Sequence, residues 1–188
     1  MVFLPGRVAR VTDVDRFYAA HRDGVFRYLR RIVGGADAAT DLTQEVFLRV
    51  SRAGMPVASE TGQRAWVFKI ARNLALNHVR DGRRRPVMVP DPQVLTPATQ
   101  ELGVALRDAI AALPALDRDV FLLREIVGLS YGEIASACDV TVESVRSRLH
   151  QARQTLRRSL GVTLDVRSQR GIRCAIAGKP SSDRSIDR

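Results

Sequence analysis

Apolar residues recur at three- and four-residue spacing along most of this chain, the pattern of amphipathic helices. Val14, Phe17, Tyr18, Val25, Leu29 and Ile32 predict a helix over residues 14–33, weakened at Gly24 and stopped by Gly34-Gly35. Leu42, Val46, Leu48 and Val50 predict a second over 38–52. Residues 53–61, with Gly54 and Pro56, lose the period. Trp66, Ile70, Leu74 and Val79 then predict a third helix over 63–81, closed by Gly82, Arg83, Arg84, Arg85 and Pro86. Pro86, Pro90, Pro92 and Pro97 fall in a stretch without strong periodicity, which reads as an extended, mobile linker. Helical spacing resumes near Gln100 with Leu102, Leu106 and Ile110, stops at Pro114, and runs again over 116–127. The expected fold is all-α, two small helical modules joined by a Pro-rich flexible linker. Their bounds are 1–85 and 100–160, with the linker at 86–99 and a basic tail at 161–188, expected to be disordered.

The second module ends in LSYGEIASACDVTVESVRSRLHQARQTLRRSL, residues 129–160. A helix over 131–138 would turn Ile134, Ala135 and Cys138 inward. Asp139-Val140-Thr141 breaks the pattern, and the Thr141 hydroxyl can cap the next helix. Glu143 falls in its first turn, where the helix dipole favours a negative charge. Val145, Leu149, Ala152 and Leu156 form a buried stripe, leaving Arg146, Ser147, Arg148, His150, Gln151 and Arg153 on other faces. A short helix, a tight turn and a longer polar helix are the signature of a helix-turn-helix, whose second helix enters the DNA major groove. A plain helical hairpin with a solvated arginine face is the alternative, and the cap and paired arginines favour DNA.

Charge sharpens this picture. The 188 residues carry +10, unevenly spread. Residues 1–85 hold 16 basic against 8 acidic side chains, residues 86–160 hold 8 against 9, and the tail holds 6 against 3. The first module is thus the more basic, although the helix-turn-helix lies in the second, so a polyanion is expected there too. Of the basic residues 28 are arginine, which suits phosphate and guanine, although a GC-rich genome would favour the same codons. Two cysteines, Cys138 and Cys174, exclude a disulfide framework and lack zinc-ligand spacing. Arg7 and Arg10 interrupt the short apolar start and no long apolar run follows, so a cytoplasmic protein without membrane insertion is expected. His21, His78 and His150 are scattered and no nucleophile motif appears, so an enzyme, a metal and a cofactor are all unexpected.

Three blocks, AATDLTQEVFLRV (38–50), RAWVFKIARNLALNHVRDGRRRP (64–86) and ALPALDRDVFLLREIVGLSYGEIASACDVTVESVRSRLHQAR (112–153), together resemble the extracytoplasmic-function (ECF) group of bacterial RNA polymerase sigma factors. The resemblance covers about residues 14–160. It implies a non-enzymatic subunit that binds core RNA polymerase and promoter DNA, the first module opening the −10 element and the second holding the −35 element as duplex. An anti-sigma factor is a frequent partner in that group, and nothing in these residues identifies one. An autonomous helix-turn-helix regulator is the competing reading, disfavoured because no dimerisation seam is evident.

The resemblance gives roles to residues. Asp41, Gln44, Glu45 and Leu48 share one face of the second helix, an acidic-polar stripe in a basic module that fits docking on core polymerase. Intrahelical pairing of ordinary surface charge with Arg49 or Arg52 is its plainer explanation. Arg64, Lys69, Arg72, Asn73, Asn77 and Arg80 run along the third helix and supply the phosphate-tracking and base-contacting groups that −10 single-strand capture needs. Trp66 is read as core rather than as a stacking platform. The loop at 53–63 would cradle a flipped base, yet AGMPVASETGQ lacks the aromatic and basic residues often found there. For the −35 duplex, Arg146, Ser147, His150 and Gln151 are assigned to base edges and adjacent phosphates, Arg148 and Arg153 to phosphates. Arg118 and Arg124 suit either backbone contacts or pairing with acidic neighbours. Asp139 stands where many members have glycine, and Asp tolerates a left-handed backbone.

Overall fold

The structure, a computed structural model, describes residues 11–54, 59–82 and 97–161; the expected linker core and the tail lie outside these. Among the described residues every regular element is helical: α1 (Val11–Val33), α2 (Ala36–Ala53), α3 (Glu60–Arg80), α4 (Pro97–Ala111), α5 (Ala115–Leu122) continued by a π-helical turn (Leu123–Val127), α6 (Tyr131–Cys138) and α7 (Val142–Ser159). The two modules are α1–α3 and α4–α7. Helix α4 starts at Pro97, inside the stretch read as linker. Proline is a favourable first helical residue because its missing N–H is not needed there.

In the first module the three helices pack on one another around Val25, Tyr28, Leu29, Ile32, Val46, Val50, Val67 and Phe68, all buried. Trp66, Ile70 and Val79 are only partly buried but pack against this core, so Trp66 serves packing. In the second, α5 and α6 pack on α7 through Leu122, Ile134, Leu149 and the rest of the predicted stripe.

The helix-turn-helix is built by local chemistry. Ser130 caps α6 through its hydroxyl while Glu133 reaches back to the Ser130 N–H at 2.7 Å, a reciprocal capping box. Asp139 adopts the left-handed conformation (φ 55°, ψ 48°) that ends α6, as its tolerance of that region allows. Thr141 then caps α7 by accepting from the Ser144 N–H. Upstream, Gly128 (φ 76°) ends the π-helical turn, a positive φ that glycine adopts without steric cost.

The modules do not stand apart. Helix α3 lies against α6, and α1 lies against the π-helical turn. At Gly24 an added Cβ would come 3.4 Å from Phe68 and 4.0 Å from Val127 of the other module, so the weak point of α1 is where the second module approaches. Buried residues of both modules form one continuous apolar cluster.

Candidate nucleic-acid interface

Helix α7 buries Val145, Leu149, Ala152 and Leu156 and thereby turns its opposite face outward. Arg146, Ser147, His150 and Gln151 are all exposed on it. Among the described residues, Arg146 makes a 3.6 Å contact with Glu143, one turn back and itself exposed. Such a surface pair contributes little, about 0–1 kcal/mol, and leaves the guanidinium available.

Arg148 and Arg153 are placed differently. The Arg148 Nη1 donates to Asp117 at 2.7 Å and its Nε to Ser144. Arg153 donates to Glu125 at 2.7 Å. Both acceptor side chains are nearly buried, 10% and 7% exposed, so these pairs tie α7 to α5 and the π-helical turn. Arg118 and Arg124 are likewise internal: Arg118 donates to the Ala111 carbonyl, and Arg124 donates to the Leu129 carbonyl while lying over the Tyr131 ring.

The six residues assigned to α3 separate into two sets. Asn73, Asn77 and Arg80 are exposed. Arg64, Lys69 and Arg72 reach the second module. Arg64 donates to the Val127 carbonyl at 2.8 Å, an acceptor left open at the end of a helix, and sits 3.6 Å from Glu133. Lys69 pairs with Asp139 in the helix-turn-helix turn. Arg72 donates from Nε to Asp119 at 2.8 Å, and the buried Tyr28 hydroxyl lies a long 3.4 Å from the other oxygen of that carboxylate.

Asp119 is 1% exposed. Burial pushes its carboxyl above its ordinary value although Arg72, Arg118 and Tyr28 pull the other way. Tyr28 is raised well above its own ordinary value, first by burial and then by the Asp119 charge. His21 is lowered, by burial and then by Arg64. The sequence reading missed the acidic partners Asp119, Glu133 and Asp139, and Tyr28. The only signal for them is the charge difference between the halves.

On α2, Asp41 and Gln44 are exposed, and Glu45 accepts from the Arg49 Nε at 2.7 Å, the intrahelical pair that surface charge alone would form. Leu48 is 49% exposed beside them, and Tyr18 of α1, 39% exposed, lies edge-on to Phe47. An acidic-polar stripe with an exposed leucine can dock on a basic protein surface that has an apolar pocket. Of the loop expected to cradle a base, residues 55–58 lie outside the described residues. No described residues form a group of three or more potential metal ligands. None of the described helices is long and apolar enough to cross a membrane.

Residues 17–85 match the sigma-70 region 2 family and residues 103–156 the sigma-70 region 4 family. The chain is 36% identical over 163 residues to the ECF RNA polymerase sigma factor SigE of Mycolicibacterium smegmatis, covering 81% of this chain and 63% of that protein. It is 32% identical over 152 residues to the probable RNA polymerase sigma-C factor of Mycobacterium bovis, covering 76% and 80% respectively. With the ECF RNA polymerase sigma factor SigL of Mycobacterium tuberculosis it shares 35% identity over 159 residues, 78% of this chain and 89% of that one. Its fold is similar to that of the sigma factor RpoE of Bartonella quintana, solved with the anti-sigma factor NepR (TM-score 0.67, 22% identity, 82% of this chain and 100% of that one). It is also similar to CnrH, solved with the cytosolic domain of CnrY (TM-score 0.64, 22% identity, 83% and 92%).

Proposed function

The chain belongs to the extracytoplasmic-function group of RNA polymerase sigma factors, and from that premise we propose how its surfaces divide the work. A member of this group is a promoter-recognising initiation factor without an active site of its own. It acts by binding core RNA polymerase and promoter DNA, and its place of work is therefore the cytoplasm. The observation that carries the assignment of surfaces is α7, whose exposed Arg146, Ser147, His150 and Gln151 stand opposite a fully buried stripe. This is the arrangement a recognition helix needs to reach base edges while its other face holds it on the module.

In this reading α7 holds the −35 element as duplex. Arg148 and Arg153 keep α7 in place through Asp117 and Glu125, and their remaining N–H groups face the adjacent phosphates. Helix α3 takes the −10 element as single strand: Asn73 and Asn77 offer amide groups to unstacked bases, and Arg64, Lys69, Arg72 and Arg80 offer charge to the backbone. Asp41, Gln44, Glu45 and Leu48 of α2 dock on core polymerase. An anti-sigma factor, the partner that RpoE of Bartonella quintana has in its solved structure, would compete for these same surfaces.

The test is co-elution with core RNA polymerase on size exclusion, for the full chain and for Asp41→Arg. The chain is expected to elute with core, and Asp41→Arg to lose at least part of that binding. A chain that never co-elutes sinks the reading, whereas unchanged binding by Asp41→Arg returns the stripe to ordinary surface charge.

A further inference from the structure

The geometry points to a built-in order of DNA engagement: the docked helix-turn-helix module shuts part of the single-strand face of α3 while leaving its own duplex-reading face open. This rests on the assignment of α3 to single-stranded DNA made above.

Three of the four basic groups offered to the strand backbone are occupied from within. Glu133 and the Val127 carbonyl take Arg64, Asp139 takes Lys69, and Asp119 takes Arg72. Carboxylates at these positions fill the role that phosphate oxygens would fill, so the two sets of acceptors exclude each other. The second module, net −1 over residues 86–160, meets a first module of net +8, and the charges of the halves are thus complementary. Among the described residues no such cover lies over α7, where Arg146, Ser147, His150 and Gln151 remain exposed in the same conformation.

The contact is also of a kind that can release. Lys69 and Asp139 are 39% and 66% exposed, so their pairing is screened by water and salt. Asp119, by contrast, is almost fully buried, and the desolvation of such a carboxylate offsets much of its attraction to Arg72. A buried ion pair of this sort fixes which surfaces dock more than how tightly they do. When the modules part, Asp119 regains water and Arg72 becomes free. Single-strand affinity is then reduced by the fraction of molecules that are open, whereas duplex affinity is not.

Two substitutions away from the DNA-contacting groups test this in the full chain. Asp119→Asn removes the buried charge, and Tyr28→Phe removes one hydrogen bond while keeping ring volume and net charge. Each protein is titrated with a fluorescent random-sequence single-stranded oligonucleotide pool and with the same pool as duplex, and its radius of gyration is measured by small-angle scattering. Asp119→Asn is expected to bind the single strand about tenfold tighter or more, and Tyr28→Phe about two- to fivefold tighter, with duplex affinity unchanged in Tyr28→Phe. Saturating single strand, but not duplex, should expand the wild-type chain.

Single-strand affinities that do not rise relative to duplex overturn the proposal, as does single-strand binding without expansion. Should Asp119→Asn fail to fold, Tyr28→Phe decides alone. Promoter-specific transcription with core polymerase, measured on the same wild-type protein, separates the two readings. If it is present while neither variant gains affinity, only the order of engagement is wrong.

Discussion

Arg146 and Arg148 are two residues apart on one helix and have different surroundings. Arg146 is exposed and weakly paired with the exposed Glu143, whereas Arg148 is held by Asp117 and Ser144. Arg146→Ala should weaken −35 duplex binding by about 1–3 kcal/mol and relax base preference at one position, read by titrating a panel of single-base variants. A uniform loss over all sequences would make it a phosphate contact instead. Arg148→Ala should lower the stability of the second module, because it leaves the nearly buried Asp117 without its cation; an unchanged urea midpoint would contradict this. His21 carries a pH dependence. Its folded pKa is depressed below 6.5 by burial and then Arg64, so the neutral imidazole is the form that suits the fold. Its contribution is complete above the unfolded pKa and is lost as pH falls through the depressed folded value. The urea midpoint should drop from about pH 7.5 to about pH 5.5, and by less in His21→Gln. Cys138, its thiol pushed up to about 11 by burial, stays protonated at neutral pH and should resist alkylation until the chain is unfolded.

At the scale of elements, the helix-turn-helix was the most legible part of the chain. Its bounds follow from residues within a few positions of one another: Ser130 with Glu133, Asp139 in the turn, Thr141 with Ser144. Such local chemistry survives any tertiary context. The turn makes a further prediction, since only residues that accept positive φ fit position 139. Asp139→Val should destabilise the module by about 1–2 kcal/mol, whereas Asp139→Gly should leave it near wild type; equal urea midpoints for the two would contradict the left-handed turn. Less was legible around 123–127. Leu116 to Val127 has the apolar spacing of one helix, and spacing alone does not reveal that its last turn widens to a π-helical one. The start of α4 at Pro97 was obscured for a different reason, because proline both fills linkers and opens helices.

For the whole molecule, the sequence showed two helical modules but not how they meet. Tyr28 and Asp119 are 91 residues apart and Arg72 and Asp119 are 47 apart, and neither partner is marked by any local pattern. The unequal charge of the halves is the trace of that contact in the sequence, and read without the structure it points to nucleic acid. Both explanations hold together if acidic groups of one module occupy positions that DNA takes later. Under the proposed assignment of α7 and α3, the −35 surface of this sigma factor is open and its −10 surface partly covered. Mapping transcript starts from a promoter library with core RNA polymerase tests promoter-directed initiation by this chain. With the full chain added, starts should concentrate downstream of sites sharing two spaced upstream elements, and Arg146→Ala should blur the distal one. Starts no different from those of core polymerase alone would rule out promoter-directed initiation by this chain.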